Sequence, residues 1–176
     1  MTDQTLPLHI LALGSPEVRL GDRLVAFPTR KTLALLIYLA IEAGLQPREH
    51  LATLLWPESS PERSYASLRN TLGHLQTALH QTSGHKRSDA ISAATPYLSV
   101  THNALGLNSD ANIDLDLHTV EQAYALARAD RASRTLKEGS ASLSVLQLAA
   151  ARQRGDFLVG FSLGDAPGFD DWATVQ

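Results

Sequence analysis

Five hydrogen-bonding side chains recur along one helical face of the segment 61–80. In order they are Arg63, Ser67, Asn70, His74 and Thr77. They are spaced four, three, four and three residues apart, so a helix of 3.6 residues per turn places all five on one side. None is acidic, and Arg and Asn are the side chains that pair bidentately with guanine and adenine in the major groove of DNA. This polar row therefore has the chemistry of base recognition, although a solvated face of an ordinary surface helix gives the same pattern.

We assign the candidate contacts in two groups. The residues expected to touch base edges are Arg63, Ser67, Asn70 and His74. The residues expected to touch the sugar-phosphate backbone are Arg48, Arg69, Thr77, Thr101, His102 and Asn103. Arg69 lies at the edge of the polar row, where an internal salt bridge is an equal alternative. The residues at 101–103 form a short polar turn, which every hairpin needs whether or not it touches DNA.

The opposite face of the same segment is apolar and indicates how the helix is held. Tyr65, Leu68, Leu72, Leu75 and Leu79 recur every three or four residues, the period of a helix that buries one stripe. A Ser-Pro-Glu start signal at residues 60–62 predicts that the helix begins at Pro61. We call the segment from Pro61 to His80 the reading helix.

The residues before the reading helix predict a small sheet and two helices. Apolar residues alternate through the first 27 positions and are separated by Gly-containing turns, which predicts an antiparallel meander. Thr29 is a plausible N-cap for an apolar helix that Gly44 ends. A second short helix is expected from Arg48 to Trp56, with Pro57 after it. Tyr38, Trp56 and Tyr65 are assigned to the core.

The residues after the reading helix predict a hairpin. The segment 81–94, which includes Lys86 and Arg87, is polar and aperiodic and is expected to be a connection. Residues 97–101 and 105–107 then alternate around a His-Asn-Ala turn. A sheet, three helices and a hairpin in this order predict an α+β winged helix with an N-terminal antiparallel sheet and a C-terminal wing.

The last third of the chain has a different character. Residues 108–116 are rich in Asp and predict an acidic linker, and two amphipathic segments at 117–129 and 141–152 predict a helical hairpin. The tail carries Phe157, Phe161, Phe169 and Trp172 but no predicted element that buries them. The sequence thus predicts a winged-helix domain at 1–107, a linker at 108–116 and part of an all-α, helical-repeat-like (TPR-like) domain at 117–176, with further helices expected to follow.

Composition places some limits on function. The 176 residues are 44% apolar and 19% charged, as in an ordinary globular protein. The net charge is −3, but residues 1–107 carry nine Lys and Arg against eight Asp and Glu, whereas residues 108–176 carry six against ten. The half that carries the polar row is therefore close to neutral, which is a weak electrostatic footprint for a nucleic-acid binder. There is no cysteine, so disulfides, thiol catalysis and Cys-ligated zinc are excluded.

Other classes of function find little support. The chain has no Gly-rich phosphate loop and no H-E-x-x-H motif, so we expect neither catalysis nor a cofactor. It has no apolar run of about 18 residues and no basic start typical of a signal peptide, so we expect a cytoplasmic protein that does not bind a membrane.

One pattern is typical of a calcium site. Asp110, Asn112, Asp114, Asp116 and Glu121 have the oxygen-ligand spacing of an EF-hand loop. Leu115 stands where that loop requires Gly, however, and a strand is predicted where the motif needs a helix. We therefore favour a linker that ends in an Asp N-cap for the next helix, and we expect no metal.

Several of these motifs resemble a known family. In order they are TRKTLALLIYLA, PREHLATLLWP, SLRNTLGHLQTALH and GDFLVGFSLGDAPGFDDW. Over about residues 6–176 they resemble the DNA-binding and bacterial transcriptional activation (BTAD) region of SARP-like activators, the antibiotic-regulatory-protein type. The resemblance implies an OmpR/PhoB-type winged helix joined to a TPR-like domain. It also implies homodimers on direct repeats of double-stranded DNA and recruitment of RNA polymerase, which the loop from Pro57 to Ser60 would face.

The sequence therefore predicts a sequence-specific transcriptional regulator, an activator by resemblance. One alternative is a protein-interaction module whose winged helix does not bind DNA. Another is a regulatory fragment of a larger ATP-dependent regulator.

Overall fold

The computed structural model describes residues 6–83, 96–133 and 141–176. The predicted connection that contains Lys86 and Arg87 lies mostly outside the described residues. The described part is a mixed α/β fold with two small sheets and helices α1 to α6.

The first sheet has four strands. Strands β1 (Leu8–Leu11), β2 (Glu17–Leu20) and β3 (Arg23–Leu24) form the predicted antiparallel meander. The fourth strand, β7 (Ile113–Leu115), pairs parallel to β1, and the sheet order is β3-β2-β1-β7. Residues 113–115 are therefore part of the sheet, and the prediction of an acidic linker over 108–116 is corrected there. The prediction was wrong for these three residues because their pairing joins positions about a hundred residues apart, which no local pattern reports.

Three helices pack against one another, and the third also contacts β2 of this sheet. Helix α1 (Arg30–Ile41) begins as predicted, because the side chain of Thr29 accepts a hydrogen bond from the Thr32 N–H. Helix α2 (Arg48–Leu55) packs on both α1 and α3 (Pro61–Ser83), and α3 continues three residues beyond the predicted reading helix. Residues 34–40 of α1 are buried, so this helix is the centre of the core.

The hairpin predicted as a wing belongs to a three-stranded sheet, which we call the wing. Strands β5 (Leu98–Val100) and β6 (Ala104–Leu107) form the predicted hairpin. A third strand, β4 (Gln46–Pro47), immediately precedes α2 and pairs with β6, giving the order β4-β6-β5. The sequence did not predict β4, and its pairing attaches the wing directly to the start of α2.

The C-terminal third folds back onto the first sheet and onto α2. Helices α4 (Asp116–Ser133) and α5 (Ala141–Arg152) form the predicted hairpin, and α6 (Pro167–Thr174) lies against α2. Phe169 is completely buried, and the Trp172 ring lies 4.8 Å from the Tyr38 ring. The tail aromatics therefore pack in or against the core of the predicted winged-helix domain. In the ranges that the structure describes, no helix is both long and apolar enough to cross a membrane.

Candidate nucleic-acid interface

The buried face of α3 differs from the predicted stripe at its first position. Leu68, Leu72, Leu75 and Leu79 are buried as expected, but Tyr65 is 39% exposed and Ser64 is buried in its place. The Ser64 hydroxyl donates to the Pro61 carbonyl at 2.9 Å, so this small polar side chain is satisfied within the first turn. Assigning Tyr65 to the core was therefore wrong. Ser64 precedes Leu68 by four residues, a signal that counting only apolar residues overlooks.

The polar row lies on the solvent side of α3. Arg63, Asn70 and His74 are exposed and Ser67 is half-buried. No hydrogen bond or ion pair within the described chain engages any of these four side chains. Their donors and acceptors are therefore available to a ligand, as base contacts require.

Thr77, the last member of the polar row, is exposed but already engaged. Its Oγ1 donates to the Gly73 carbonyl at 2.8 Å. A hydroxyl has a single donor hydrogen, and a phosphate oxygen is an acceptor. A hydrogen bond from the Thr77 hydroxyl to a DNA phosphate would therefore require this internal hydrogen bond to break.

An open groove of about 640 Å³ separates α3 from the wing tip. Its lining residues are Pro47, Arg48, Glu49, Tyr65, Arg69, His102 and Asn103. We call it the wing groove. It brings together four of the six residues predicted to contact the DNA backbone, on the two sides of one concave surface. Tyr65 and Glu49 are members that the sequence did not predict.

The wing tip is held by internal hydrogen bonds. Thr101 Oγ1 accepts from the Ala104 N–H at 2.9 Å and lies 3.0 Å from the Ala104 carbonyl, to which its hydroxyl donates. His102 Nδ1 lies 2.6 Å from Asn103 Oδ1. The Thr101 hydroxyl therefore serves the turn, and its side chain is poorly placed for the predicted backbone contact.

Arg48 also turns toward the wing. Its Nε and Nη2 atoms donate to the Thr101 carbonyl at 3.2 and 3.0 Å, and its backbone N–H donates to the Asn103 carbonyl at 2.9 Å. Arg48 is half-buried in this position. Arg48, the predicted phosphate ligand, thus uses two of its guanidinium donors for hydrogen bonds inside the protein.

The charge on this side of the molecule is nearly balanced. Between residues 48 and 70 the cations are Arg48, Arg63 and Arg69, and the carboxylates are Glu49, Glu58 and Glu62. Glu49 lines the wing groove itself. Long-range attraction of DNA to this face is therefore weak, and any binding depends on close contacts.

The acidic residues of the calcium-like pattern have protein partners. Asp116 is fully buried and accepts hydrogen bonds from the Ala12 and Leu13 N–H groups, both at 2.9 Å. It therefore satisfies the end of β1 and is not an N-cap of α4, which corrects that prediction. Among the described residues, no three His, Asp or Glu side chains lie close enough together to hold a metal ion.

Asp114, also part of that pattern, binds two side chains, those of Arg152 and His9. Its Oδ1 accepts from Arg152 Nη1 at 2.7 Å and its Oδ2 lies 2.9 Å from His9 Nδ1. Burial raises the pKa of Asp114, but the hydrogen bonds from Arg152 and His9 lower it by more, so that its pKa lies below the ordinary value.

The tail contains a nucleophile-like pattern that the sequence predictions did not include. Residues 160–164 read GFSLG, which matches G-x-S-x-G. In hydrolases that pattern places the Ser on a sharp turn between a strand and a helix, with a His within reach. Ser162 instead lies in an irregular segment beside a cavity of about 660 Å³, and no histidine is among the described residues that line it. The described residues that line this cavity therefore do not form the Ser-His pair of those hydrolases.

Comparison with known proteins gives a likeness at the level of fold. No protein-family profile matches the chain, and no curated protein does. A solved structure of Mycobacterium tuberculosis EmbR, in complex with a low-affinity phosphopeptide, is similar with a TM-score of 0.68 and 23% identity. The match covers 97% of this chain but only 41% of the EmbR chain. The chain therefore spans about two fifths of the length of that structural relative, and it shares its fold over that length.

Proposed function

We propose that this chain is the DNA-binding part of a transcriptional regulator, in which α3 reads base edges and the wing tip meets the neighbouring backbone. The observation that carries the proposal is the set of unengaged side chains at Arg63, Ser67, Asn70 and His74, which lie together on the solvent side of α3. The motifs that resemble SARP-like activators give independent support.

The dimensions suit a helix in the major groove. From Arg63 to His74 the row extends about 16 Å along the axis, at 1.5 Å per residue. The major groove of B-DNA is about 12 Å wide and admits one α-helix. Arg63 near the start of α3 fits contact with guanine, and Asn70 two turns later fits contact with adenine.

Its partners beyond DNA are proposed from the resemblance. We propose a homodimer on direct repeats, and an activator role in which the loop from Pro57 to Ser60 faces RNA polymerase. This loop joins α2 to α3, and Pro57, Glu58 and Ser60 are exposed. The proposed role is binding, without a catalytic step or a cofactor.

The test is affinity for a selected site at several salt concentrations. Sites would be selected from random duplexes and binding measured by fluorescence anisotropy. Asn70→Ala is expected to weaken binding to the selected site about 5- to 150-fold, the equivalent of about 1–3 kcal/mol for one bidentate contact. The loss should be confined to sites with the preferred base pair at one position. Gln122→Ala, an exposed amide on α4, is the matched control and should leave binding unchanged.

Equal and weak affinity for selected and random duplexes, unaffected by Asn70→Ala, would contradict the proposal. It would favour the second candidate, a protein-interaction module. Exposed apolar side chains on the helical hairpin favour that candidate: Tyr124 is 65% exposed, Leu148 48% and Leu126 37%. Exposed apolar side chains of this kind are typical of a surface that docks a protein partner.

A further inference from the structure

We propose that Arg48 is a positioning residue that fixes the wing tip beside the reading helix, and that its main role is not the phosphate contact that the sequence predicts. This inference rests on the proposed function and concerns the geometry of the same interface. In this proposal the Arg48 side chain sets the width of the wing groove.

The first support is the set of contacts that Arg48 makes. Its guanidinium donates twice to the Thr101 carbonyl, at 3.2 and 3.0 Å. Its backbone N–H, the first of α2, donates to the Asn103 carbonyl at 2.9 Å. One residue therefore binds the carbonyl groups on both sides of His102, which stands at the tip of the wing.

The second support is the strand that precedes Arg48. Gln46 pairs with Leu105 and Pro47 with Ala104, so β4 joins the wing strand β6 to the start of α2. Proline has no N–H, so β4 can offer little hydrogen bonding at Pro47. Beyond the end of β4, the Arg48 side chain and amide supply the hydrogen bonds that attach the wing to the start of α2.

The third support is the position of the wing groove. Tyr65 and Arg69 on α3 line one side, and His102 and Asn103 on the wing line the other. Arg48 also lines the groove, and its hydrogen bonds run to the wing side. Since α2 packs directly on α3, holding the wing to the start of α2 fixes the distance between the two sides.

The chemistry of the guanidinium allows positioning and contact to be separated. It carries five N–H donors, and Nη1 is not engaged by the wing. A phosphate contact depends on the positive charge, and lysine can supply that charge. Two donors aimed at one carbonyl require the planar fork of arginine, which a lysine does not reproduce.

The experiment compares Arg48→Met, Arg48→Lys and Arg69→Met as full-length chains. We expect Arg48→Met and Arg48→Lys both to weaken binding to a selected duplex, on the order of tenfold. The slope of log affinity against log salt should stay at the wild-type value in both. Arg69→Met, which removes a cation that faces the groove, is the control and should reduce the slope by about 0.9, as expected for one lost phosphate contact.

A double-mutant cycle with the wing gives a second readout. If Arg48 acts through the wing, His102→Ala should weaken binding in the wild-type background and change little in the Arg48→Met background. Restoration of affinity by Arg48→Lys, or a reduced salt slope in Arg48→Met, would overturn the proposal and make Arg48 a phosphate ligand.

A measurement without DNA separates this proposal from the proposed function. Hydrogen exchange of the amides at residues 48 and 101 reports the attachment of the wing in the free protein. We expect faster exchange of both in Arg48→Met, while the amides of α1 stay protected. Unchanged exchange would contradict the positioning role even if the chain binds DNA, and faster exchange would support it even if the chain does not.

Discussion

Arg152 Nη1 donates a hydrogen bond to Asp114 Oδ1 at 2.7 Å and so joins the last turn of α5 to strand β7. The same atom donates to Thr119 Oγ1 on α4 at 2.9 Å, and the second oxygen of Asp114 binds His9 on β1. Four elements therefore meet in one cluster, in which Asp114 binds Arg152 and His9, and Arg152 binds Thr119. This cluster attaches the helical hairpin to the edge of the first sheet.

The charge of Asp114 should make stability depend on pH. Its pKa is lowered in the folded chain, mainly because hydrogen bonds from Arg152 and His9 outweigh the effect of burial. A carboxyl group with a lowered folded pKa stabilises the fold above its unfolded pKa of about 3.9, and this contribution is lost as pH falls through the folded value. Asp114→Asn should reduce the free energy of unfolding at pH 7 by about 1 kcal/mol.

Urea unfolding at pH 7, 5, 4 and 3 measures this effect. The difference between wild type and Asp114→Asn should shrink as the pH falls below about 4. Asp110→Asn is the matched control, because Asp110 is exposed and makes no ion pair within the described chain. A difference that stays the same at every pH would show that the charge of Asp114 is not what stabilises the cluster.

Replacing Asp116 should cost more than replacing Asp114. Both Asp116 oxygens accept from backbone N–H groups at the end of β1, and the side chain is fully buried. In Asp116→Asn one of these oxygens becomes an NH₂ group that faces a donor, which leaves a buried N–H unsatisfied at a cost of about 1–3 kcal/mol. We expect a fall in Tm of about 2–4 °C per kcal/mol, measured by calorimetry. An unchanged Tm, with the amides of residues 12 and 13 still protected, would contradict this role.

Phe169 should stabilise the packing of α6 on α2, the helix against which the reading helix packs. It is fully buried in α6, which packs on α2, and Trp172 one turn later donates from Nε1 to Glu42 Oε1 at 2.6 Å. Phe169→Ala should cost about 3–5 kcal/mol, the usual loss for a buried phenylalanine. Val175→Ala, at an 82% exposed position, should cost almost nothing. If chemical unfolding gave equal stability for the two variants, α6 would not be part of the core.

Gly106 in β6 should tolerate no side chain. A β-carbon there would overlap the carbonyl group of Gly44, in the turn that follows α1. Gly106→Ala should therefore destabilise the fold by about 1–3 kcal/mol, because one of the two backbones must move. Gly73→Ala is a control of opposite sign: nothing lies within 4 Å of a β-carbon at this position, so alanine should stabilise α3 by about 1 kcal/mol. Thermal unfolding of both variants decides between these outcomes, and two shifts of the same sign would contradict the argument.

Local signals in the sequence predicted the helices and the hairpin well. The cap at Thr29, the bounds of α5 and the start of α3 at Pro61 were all predicted, because capping residues, prolines and apolar periods act over a few residues. The short strands β4 and β7 were missed, since two or three residues carry no period and their pairing is long-range.

The site shows the same division between local and long-range information. The exposed polar row followed from helical spacing alone, although its contact with bases stays a prediction. The inward orientation of Arg48 and the exposure of Tyr65 did not follow from spacing, because they depend on where the wing lies in three dimensions. Asp114 and Asp116 read as linker residues because acidic side chains are usually solvated. Their partners come from distant parts of the chain.

The pairing of β1 with β7 has a consequence for synthesis on the ribosome. Leu8 lies opposite Ile113, so one edge of β1 has no strand beside it until about a hundred further residues have been translated. At about 5–20 residues per second, that interval lasts about 5–20 s. During it the nascent chain presents an open strand edge, the kind of surface on which chains join one another. Aggregation during expression should therefore be governed by how quickly translation passes from β1 to β7.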